Sequence, residues 1–427
     1  MNAMAPTGEL ERQRLAGLDR PALARYQLQR LNELLETILP HNGFYQHKLG
    51  RRRRLESLRD LADLPLTTKD ELAEVNSATG LPANLTFPPE RYVRFHQTSG
   101  TRGRPMAVLD TADDWQWWID TWQYVLDAAG VAASDRVMMA FSFGPFIGFW
   151  SAYDAVAARG GLVIPGGGMS TLARLELMRT CHATAVFCTP TYALRMAEVA
   201  AEHGINLASS KVRVLVVAGE PGGSAPAIRQ RIEAAWGARL IDHSGATEVG
   251  PWGFADTTGQ GLHIIESEFL AEFISVESGR LAIDGELSHL ILTTLGRAGC
   301  PVIRYRTGDL VRPRWAREGD CRFVYLEGGV LGRADDMLVV RGVNIFPSSI
   351  DQILHSFPEV VEYRMTARKR GAMDELVVEV EDRLGQPQRI VEALELRLGL
   401  RVEVSVVPPG SLPRYEGKSK RFVDERR

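Results

Sequence analysis

The feature that most constrains the fold is a regular alternation of short apolar runs and amphipathic segments between residues 136 and 237. The runs "RVMMAFS", "GLVIPGGG", "ATAVFCTP" and "VRVLVVAGEPGG" have the length of strands, and a segment with helical spacing follows each of them. Apolar strands that alternate with amphipathic helices predict a parallel sheet with helices on its faces. The large N-terminal part of the chain is therefore predicted to be an α/β domain.

Turns rich in glycine and proline follow these strands. They read "FGPF", "PGGG", "CTPTY" and "AGEPGG", and each lies at the carboxyl end of its run. Ligands of open α/β sheets bind beyond the carboxyl ends of the strands. We therefore expect these turns to form one wall of a pocket.

The pattern changes on either side of this region. Residues 8–40 have helical spacing that ends at Pro40. A second helix is predicted to carry Trp115, Trp118 and Trp122 on one face, an aromatic stripe that is typical of a helix packed in a core. From about residue 260 short strands with turns predict a small β subdomain.

The last part of the chain has a pattern of its own. After residues 332–336 the order reads βαββαβ, which is typical of a small ferredoxin-like α+β domain. We predict a large domain over residues 1–331 and a small one over residues 332–427.

Bulk properties exclude several classes of protein. A chain of 427 residues with a net charge of −3 gives no reason to expect nucleic acid or an anionic membrane as partner. The amino-terminal residues do not resemble a signal peptide, and no apolar stretch reaches the ~20 residues that span a bilayer, so we expect a cytoplasmic protein. The four cysteines lack Cys-x-x-Cys spacing and indicate neither a disulfide framework nor a four-thiolate zinc site.

The stretch "HQTSGTRGRP", residues 96–105, points to an anion. Its glycines let backbone N–H groups turn toward a ligand, and its hydroxyls and arginines add donors and positive charge. The spacing does not fit the P-loop of NTPases, because only two residues separate Gly100 from Gly103 and Arg-Pro follows. A polar surface turn is the alternative for this stretch taken alone.

Four further clusters place polar groups in loops. "HSGATEVG" offers Thr247 for a phosphate oxygen and the carboxylate of Glu248 for Mg²⁺. "YRTGD" ends in Asp309, which could accept both hydrogen bonds of a ribose diol. "GRADDMLVVRGVNIFPSSI" opens with a charged segment, and "LPRYEGKSKR" contains Lys418. Each alone also fits capping, turn or surface chemistry.

Taken in order, these motifs resemble the adenylate-forming superfamily of acyl-CoA and aryl-CoA synthetases, and within it the phenylacetate-CoA ligase family. The resemblance covers about residues 90–427 and rests on "TSGTRGRP", "AGEPGG", "GATE", "YRTGD", "GRADDMLVVRGVNIFP" and "LPRYEGKSKR". It implies that a carboxylate attacks the α-phosphate of ATP to give an acyl-adenylate and pyrophosphate. A thiol, usually that of coenzyme A, then takes the acyl group.

The resemblance also implies roles for individual residues. Lys418 would bridge the carboxylate and the α-phosphate, Thr247 would contact that phosphate, and Glu248 would hold Mg²⁺. Asp309 would bind the ribose, and Asp335 would be the hinge about which the small domain turns. Gly342 would line the thiol tunnel. The remaining nucleotide contacts fall on Thr98, Ser99, Gly100, Thr101, Arg102, Gly103, Arg104, Ala218, Gly219, Glu220, Pro221, Asp242, His243, Ser244, Gly245, Ala246 and Arg333.

The chain departs from the family pattern at three places. Arg102 and Arg104 stand where threonine and lysine are common, which keeps or adds positive charge. Ser244 replaces the usual tyrosine that packs on adenine, so adenine needs another surface; Trp252 is a candidate, although the sequence favours a core position for it. Some relatives hold zinc nearby; this chain keeps His263 and Cys321 but lacks a full ligand set, and we predict no zinc.

The acid is harder to derive. Aromatic walls favour flat rings, so an aryl or arylacetic acid is expected, although packing in the core is the alternative for each aromatic residue. The predicted pocket comprises Phe141, Phe143, Phe146, Tyr192, Gly245 and Pro251.

Two other functions remain open at this point. The adenylate could pass to a carrier-protein thiol, an amine or a hydroxyl, or the chain could be an inactive nucleotide sensor. The presence of Lys418, Glu248 and Asp309 together argues against the sensor. A homodimer is expected because relatives of this kind often form one.

Overall fold

The computed structural model describes the whole chain apart from residues 1–7, 51–53, 99–104, 257, 316–320, 335–337, 341–342, 371–372, 399, 415–420 and 427. The chain begins with four helices: α1 (Glu9–Ala16), α2 (Arg20–Ile38), α3 (Gly43–Leu49) and α4 (Lys69–Leu72). The helical stretch predicted for residues 8–40 is thus divided. Asp19 starts α2 by accepting a hydrogen bond from the backbone N–H of Ala22, which breaks the pattern after α1.

A hairpin and a long helix follow. The hairpin consists of β1 (Tyr92–Gln97) and β2 (Ala107–Thr111), and helix α5 spans Ala112–Ala129. Thr111 and Asp114 form a capping box at the start of α5, and Gly130 ends it in the left-handed conformation. The tryptophan stripe lies in the core as predicted: Trp115, Trp118 and Trp122 are at most 5% exposed.

The predicted parallel sheet is confirmed. It contains β3 (Arg136–Met139), β4 (Leu162–Pro165), β5 (Ala185–Cys188), β6 (Val214–Val217) and β7 (Arg239–Ala246), which pair in the order β4-β3-β5-β6-β7 with parallel neighbours. The strands β8 (Gly250–Phe254) and β9 (Gly261–Ile264) continue the same sheet in the antiparallel sense.

Helices cover both faces of this sheet because its strands alternate their side chains between two cores. Val137 and Met139 of β3 face the core that contains α5 and α6 (Ile147–Ala158). Met138 of the same strand faces the core that contains α7 (Thr171–Thr180), α8 (Pro190–Glu202) and α9 (Pro226–Trp236).

The β subdomain forms a second sheet, as predicted. Its strands are β10 (Phe269–Ser275), β11 (Ser288–Thr294), β12 (Tyr305–Val311) and β15 (Gly332–Arg333), which pair in that order. Two short strands between them, β13 (Pro313–Arg314) and β14 (Tyr325–Glu327), extend the nine-stranded sheet beyond β9.

The C-terminal domain has the predicted α+β class. Its elements are β16 (Leu338–Val340), β17 (Val343–Ile345), α10 (Pro347–His355), β18 (Val360–Arg370), β19 (Met373–Asp382), α11 (Pro387–Leu398), β20 (Glu403–Val406) and β21 (Phe422–Asp424). The strand order differs from the predicted βαββαβ pattern. The segment "MLVVRG" contributes to a separate β16–β17 hairpin, and β21 takes the edge of a sheet ordered β20-β19-β18-β21.

The two domains touch in this arrangement. The Ser348 hydroxyl at the start of α10 donates a 2.5 Å hydrogen bond to the Leu331 carbonyl. A Cβ added to Gly332 would lie 3.0 Å from the Ser348 Oγ and 3.3 Å from the Phe346 ring, so a side chain at this position would require these neighbours to shift. Over the part of the chain that the structure describes, no helix is long and apolar enough to cross a membrane.

Candidate active site

The site lies where the parallel strands end. Because β3, β5, β6 and β7 run in the same direction, the segments that follow them meet at one edge of the sheet. The sequence predicted this convergence for the Gly/Pro turns. The structure extends it, since β7 continues to Ala246 and turns at residues 247–249 into β8.

The glycine-rich hairpin loop is closed at its base by two hydrogen bonds. The backbone N–H of Thr98 donates to the Met106 carbonyl, and the Met106 N–H donates to the Thr98 hydroxyl, both at 3.0 Å. The Gln97 N–H donates to the Pro145 carbonyl at 2.8 Å, which joins the hairpin to the turn after β3. The predicted phosphate contacts Ser99, Gly100, Thr101, Arg102, Gly103 and Arg104 lie outside the described residues.

Glu248 is held by a tyrosine that was not predicted for the site. The Tyr305 hydroxyl donates a 2.7 Å hydrogen bond to Glu248 Oε1. Burial and the Glu248 charge raise the pKa of Tyr305 well above its ordinary value, so Tyr305 remains a donor. The second oxygen, Oε2, has no hydrogen-bond partner among the described residues, which leaves it open to a ligand.

A buried ion pair fixes the backbone beside Glu248. The Arg297 guanidinium donates to the Glu248 carbonyl at 2.8 Å and to Asp110 Oδ1 at 2.8 Å. Burial raises the pKa of Asp110 to about 6, against the lowering effect of Arg297. Both side chains are fully buried, so removing one of them would leave an uncompensated buried charge. Asp110 lies on β2, and the pair therefore connects the hairpin to the Thr247–Glu248 turn.

Asp309 and Arg333 form a second ion pair nearby. The Arg333 Nη1 donates to Asp309 Oδ1 at 2.8 Å, and the two residues are register partners on β12 and β15. Burial raises the pKa of Asp309, while Arg333 opposes the rise. Glu248 influences the pKa of Asp309 as well, which places the two carboxylates in one electrostatic environment.

The segments after β6 and along β7 form the adjoining wall. The four residues that follow β6 are partly or fully exposed: Ala218, Gly219, Glu220 and Pro221. The φ of Gly219 is +95°, a backbone conformation that favours glycine. Asp242 on β7 is buried and accepts a 2.6 Å hydrogen bond from the Ser224 hydroxyl. Burial raises the pKa of Asp242 to about 6.

The end of β7 carries the segment from His243 to Ala246. His243 Nδ1 lies 2.7 Å from the Gly253 carbonyl oxygen, and the centroids of the His243 and Trp122 rings are 4.2 Å apart. Burial lowers the pKa of His243 to about 4, so the ring is neutral and Nδ1 donates. The neighbouring Ser244 and Ala246 are half-buried, and Gly245 is exposed.

The predicted acid pocket is only partly assembled from the expected residues. Phe143 packs edge-on against Trp150 at 4.9 Å between ring centroids, and a Cβ on Gly167 would lie 2.4 Å from the Phe143 ring. Phe146 and Trp150 are each 39% exposed. These rings therefore border open space at the start of α6, whereas Phe141 and Pro251 are buried.

Two aromatic residues are buried away from any open surface. Tyr192 is 1% exposed, its ring lies 4.9 Å from the Arg174 guanidinium carbon, and its hydroxyl bonds Thr171. Trp252 is also 1% exposed and lies in the main core, which confirms the core position and leaves Trp252 without a surface for adenine. The fully packed indole has no free face for a base.

The remaining predicted residues fall outside the description or carry no site. Asp335, Gly342 and Lys418 belong to the residues that the structure leaves out. His263 Nε2 lies 3.8 Å from Asp256 Oδ2, and within the described ranges no group of three or more His, Cys, Asp or Glu side chains has a geometry for metal.

Comparison with known proteins gives two family models that match this chain. The model described as AMP-binding enzyme matches residues 33–266, and the model described as AMP-binding enzyme C-terminal domain matches residues 342–426. The phenylacetate-coenzyme A ligase of Escherichia coli is 33% identical over 95% of this chain and 95% of its own length. The enzyme of the same name from Thermus thermophilus is 30% identical over 97% of this chain and 99% of its own length.

Solved structures agree in fold and distinguish between conformations. A 2-hydroxyisobutyryl-CoA ligase in the post-adenylation state, with its acyl-AMP, matches with a TM-score of 0.92 at 26% identity, over 100% of this chain and 95% of that one. The same ligase in the thioesterification state matches with a TM-score of 0.75 over the same shares. The two domains of this chain are therefore arranged more as in the post-adenylation state.

Proposed function

The chain belongs to the AMP-binding enzyme family, and we propose that it activates an arylacetic acid for transfer to coenzyme A. It is an AMP-forming acid–thiol ligase. In the first half-reaction a carboxylate oxygen attacks the α-phosphorus of ATP, an acyl-adenylate forms and pyrophosphate leaves. In the second the sulfur of coenzyme A attacks the acyl carbon, the thioester forms and AMP leaves.

The observation that carries the assignment of the site is the pair of carboxylates beyond the strand ends. Glu248 is anchored by Tyr305 on one oxygen, and Asp309 is anchored by Arg333 on one oxygen. Each carboxylate therefore keeps acceptor capacity in a fixed direction. A nucleotide with a metal ion needs such acceptors, one for the metal and one for the sugar.

The donor set of Glu248 fits Mg²⁺. This ion prefers oxygen ligands and takes one or two carboxylates together with water and phosphate oxygens. When bound, it would neutralise charge on the phosphate oxygens of ATP. Glu248 would hold it through Oε2, and Tyr305 would keep the carboxylate oriented.

Asp309 would bind the ribose and Thr247 the α-phosphate. A buried carboxylate accepts hydrogen bonds from a vicinal diol with little competition from water, and Arg333 preserves its charge. Thr247 is half-buried in the turn that also contains Glu248, so its hydroxyl would face the same phosphates. Ala218–Pro221 and Ser244–Ala246 would form the walls for adenine, with Asp242 and His243 beneath them.

The hairpin loop would hold the β- and γ-phosphates. The donors would be the backbone and hydroxyls of residues 98–101 together with Arg102 and Arg104. The bonds between Thr98 and Met106 support this role, because they fix both ends of the loop beside the turn after β3. Lys418, outside the described residues, would bridge the carboxylate and the α-phosphate during adenylation.

The proposed division of labour between domains follows the same logic. The boundary would lie between residues 331 and 332, with Asp335 as the hinge. Rotation about it would withdraw Lys418 and bring Gly342 to the path of the coenzyme A thiol, where the absence of a side chain leaves room for the pantetheine arm.

The arylacetic acid is proposed from the aromatic rings at the start of α6. Phe143 and Trp150 are packed edge-on, and the exposed faces of Trp150 and Phe146 offer contact to a flat ring. Relatives that are 30–33% identical are named phenylacetate-coenzyme A ligases. The structure in the post-adenylation state belongs to a ligase of a small hydroxy acid, which makes that acid the sharpest competitor.

The test is ATP–pyrophosphate exchange with phenylacetate, benzoate, 2-hydroxyisobutyrate and octanoate, followed by detection of the thioester with coenzyme A. We expect exchange and thioester to be greatest with phenylacetate. Lys418→Ala should abolish exchange and leave ATP binding largely intact. If exchange is greatest with 2-hydroxyisobutyrate, the proposal of an arylacetic acid as substrate is wrong. If exchange occurs without a thioester, the proposal of coenzyme A as acceptor is wrong.

A further inference from the structure

Arg231 and His355 join the two domains through one hydrogen bond. Arg231 lies on α9 of the large domain and His355 on α10 of the small domain, with 3.2 Å between Arg231 Nη1 and His355 Nδ1. A guanidinium can only donate, so Nδ1 of His355 must be the acceptor. His355 is buried and Arg231 is half-buried.

The partners of His355 within the small domain agree with this assignment. Its Nε2 lies 3.0 Å from the Tyr363 hydroxyl, which itself donates to Asp351 Oδ1 at 2.8 Å. The Tyr363 proton is therefore used on Asp351, and Nε2 carries the proton that Tyr363 accepts. The hydrogen bonds thus form a chain with one direction, from Arg231 through His355 and Tyr363 to Asp351.

The surroundings keep His355 uncharged. Burial is the largest cause that holds the pKa of His355 well below its ordinary value, and the positive charges of Arg421 and Arg231 add to it. The Arg421 guanidinium lies 4.8 Å from the centroid of the Tyr363 ring and donates a hydrogen bond to Glu362. The negative charge of Glu220, in the large domain, contributes to the raised pKa of Asp351.

Among the residues that the structure describes, Arg231 has no carboxylate within 4.0 Å, and Glu198 acts on it only through its charge. Burial lowers the pKa of Arg231, so its position in the interface is costly for a cation. A desolvated arginine that has one neutral acceptor gains less interaction free energy than an arginine in a buried ion pair. When the domains separate, the guanidinium is hydrated again. Such a contact suits an interface that must open in every catalytic cycle.

We propose that Arg231 and His355 are positioning residues that dock the small domain for the adenylation half-reaction. The inference rests on the proposed function, in which the small domain carries Lys418. The contact exists in an arrangement that matches the post-adenylation state of a related ligase more closely than its thioesterification state. Loss of the contact should therefore impair the first half-reaction and spare the second.

The experiment measures the two half-reactions separately with the best acid of the panel. Arg231→Ala should lower ATP–pyrophosphate exchange about tenfold, the effect expected from one hydrogen bond to a charged group. Single-turnover conversion of purified acyl-adenylate to the thioester with coenzyme A should stay within about twofold of the wild type. Gln230→Ala, an exposed neighbour on the same helix, should leave both rates unchanged.

A double-mutant cycle tests whether the two residues act through each other. His355→Ala should slow exchange to a similar extent, and the double variant should be no slower than either single variant. His355→Asn keeps an acceptor near the Nδ1 position and should restore part of the rate.

Equal losses in both half-reactions, unchanged exchange in Arg231→Ala, or additive losses in the double variant would overturn the proposal. Absence of exchange in the wild type with every acid would instead count against the proposed function, so the two failures are distinct.

Discussion

Asp309 and Arg333 face each other across β12 and β15 and are joined by a 2.8 Å ion pair. The antiparallel register sets this relationship, because partner residues on neighbouring strands bring their side chains within reach of each other. The pair holds the buried carboxylate of Asp309 against Arg333, which stands two residues before the proposed hinge at Asp335. The proposed nucleotide site and the proposed domain boundary are thus neighbours in the fold.

Asp309→Asn should raise the KM for ATP. The amide removes the charge and one acceptor from the proposed ribose contact, a loss of about 1.5–3 kcal/mol or roughly 10- to 100-fold. The KM for the acid should change little. Pyrophosphate exchange at varied ATP measures both constants, with the exposed Asp284→Asn as a matched control. A KM for ATP within twofold of the wild type would remove Asp309 from the site.

Arg333→Gln should make ATP binding sensitive to acid. Burial raises the pKa of Asp309 and Arg333 opposes the rise, so removal of the arginine leaves the upward shift unopposed. A carboxylate with a raised pKa gains its proton as the pH falls, and the protonated form loses acceptor capacity. As the pH falls, the ATP affinity of the variant should therefore begin to decline at a higher pH than that of the wild type. Parallel pH profiles of the KM for ATP would contradict this, and Arg314→Gln is the exposed control.

Tyr305→Phe should raise the Mg²⁺ concentration needed for half-maximal exchange by about tenfold. The tyrosine orients the Glu248 carboxylate, and partners of metal ligands typically contribute 10- to 100-fold to metal affinity. A titration of exchange rate with Mg²⁺ measures the shift. Tyr124→Phe removes another buried hydroxyl, which bonds Ser267 and not Glu248, and should affect stability without moving the Mg²⁺ midpoint. Equal midpoints for Tyr305→Phe and the wild type would show that Tyr305 does not support the metal.

Phe143→Ala should reduce kcat/KM for phenylacetate more than for 2-hydroxyisobutyrate, by about tenfold. Phe143 already packs edge-on against Trp150 and would offer the same kind of contact to the ring of the acid. Such a contact contributes about 0.5–1.5 kcal/mol beyond the area that it buries, and 2-hydroxyisobutyrate has no ring with which to form it. The ratio of the two specificity constants is the measurement, because a general loss of stability lowers both. Phe95→Ala, at an exposed aromatic residue on β1, is the control. An unchanged ratio would place the acid elsewhere.

The sheet could be predicted because its information is local. The strands β3 to β6 are short apolar runs, each followed by a helix within the same stretch of chain, so periodicity alone identifies them. Strand β7 was not predicted, because its sequence turns polar at Asp242 and no helix follows it. The strand β21 was not predicted because it has only three residues, Phe422–Asp424, and gains its identity from pairing with Met365–Ala367. Pairing over that distance leaves no trace in a local pattern.

The sequence motifs predicted the carboxylates of the candidate site but not the residues that hold them in place. Glu248 and Asp309 were expected from their motifs, whereas Tyr305 was known only as part of one of them. Arg297 carries no motif at all, since its partner Asp110 lies 187 residues away. Tyr192 follows a promising turn, but its position within α8 directs its side chain into the core. Spacing along the chain does not reveal which face of a helix meets the cleft.

The two hydrogen bonds between Thr98 and Met106 have an implication for how this protein tolerates change. The two bonds hold the ends of the intervening segment together in the folded chain. The entropic cost of closing this loop is therefore part of the free energy of folding and does not reduce the affinity for a nucleotide. Neither bond uses a side chain of the intervening residues, so we expect substitutions between them to leave the two bonds in place. The segment can therefore diverge in charge and size, as its two arginines illustrate, while the hairpin that presents it keeps its shape.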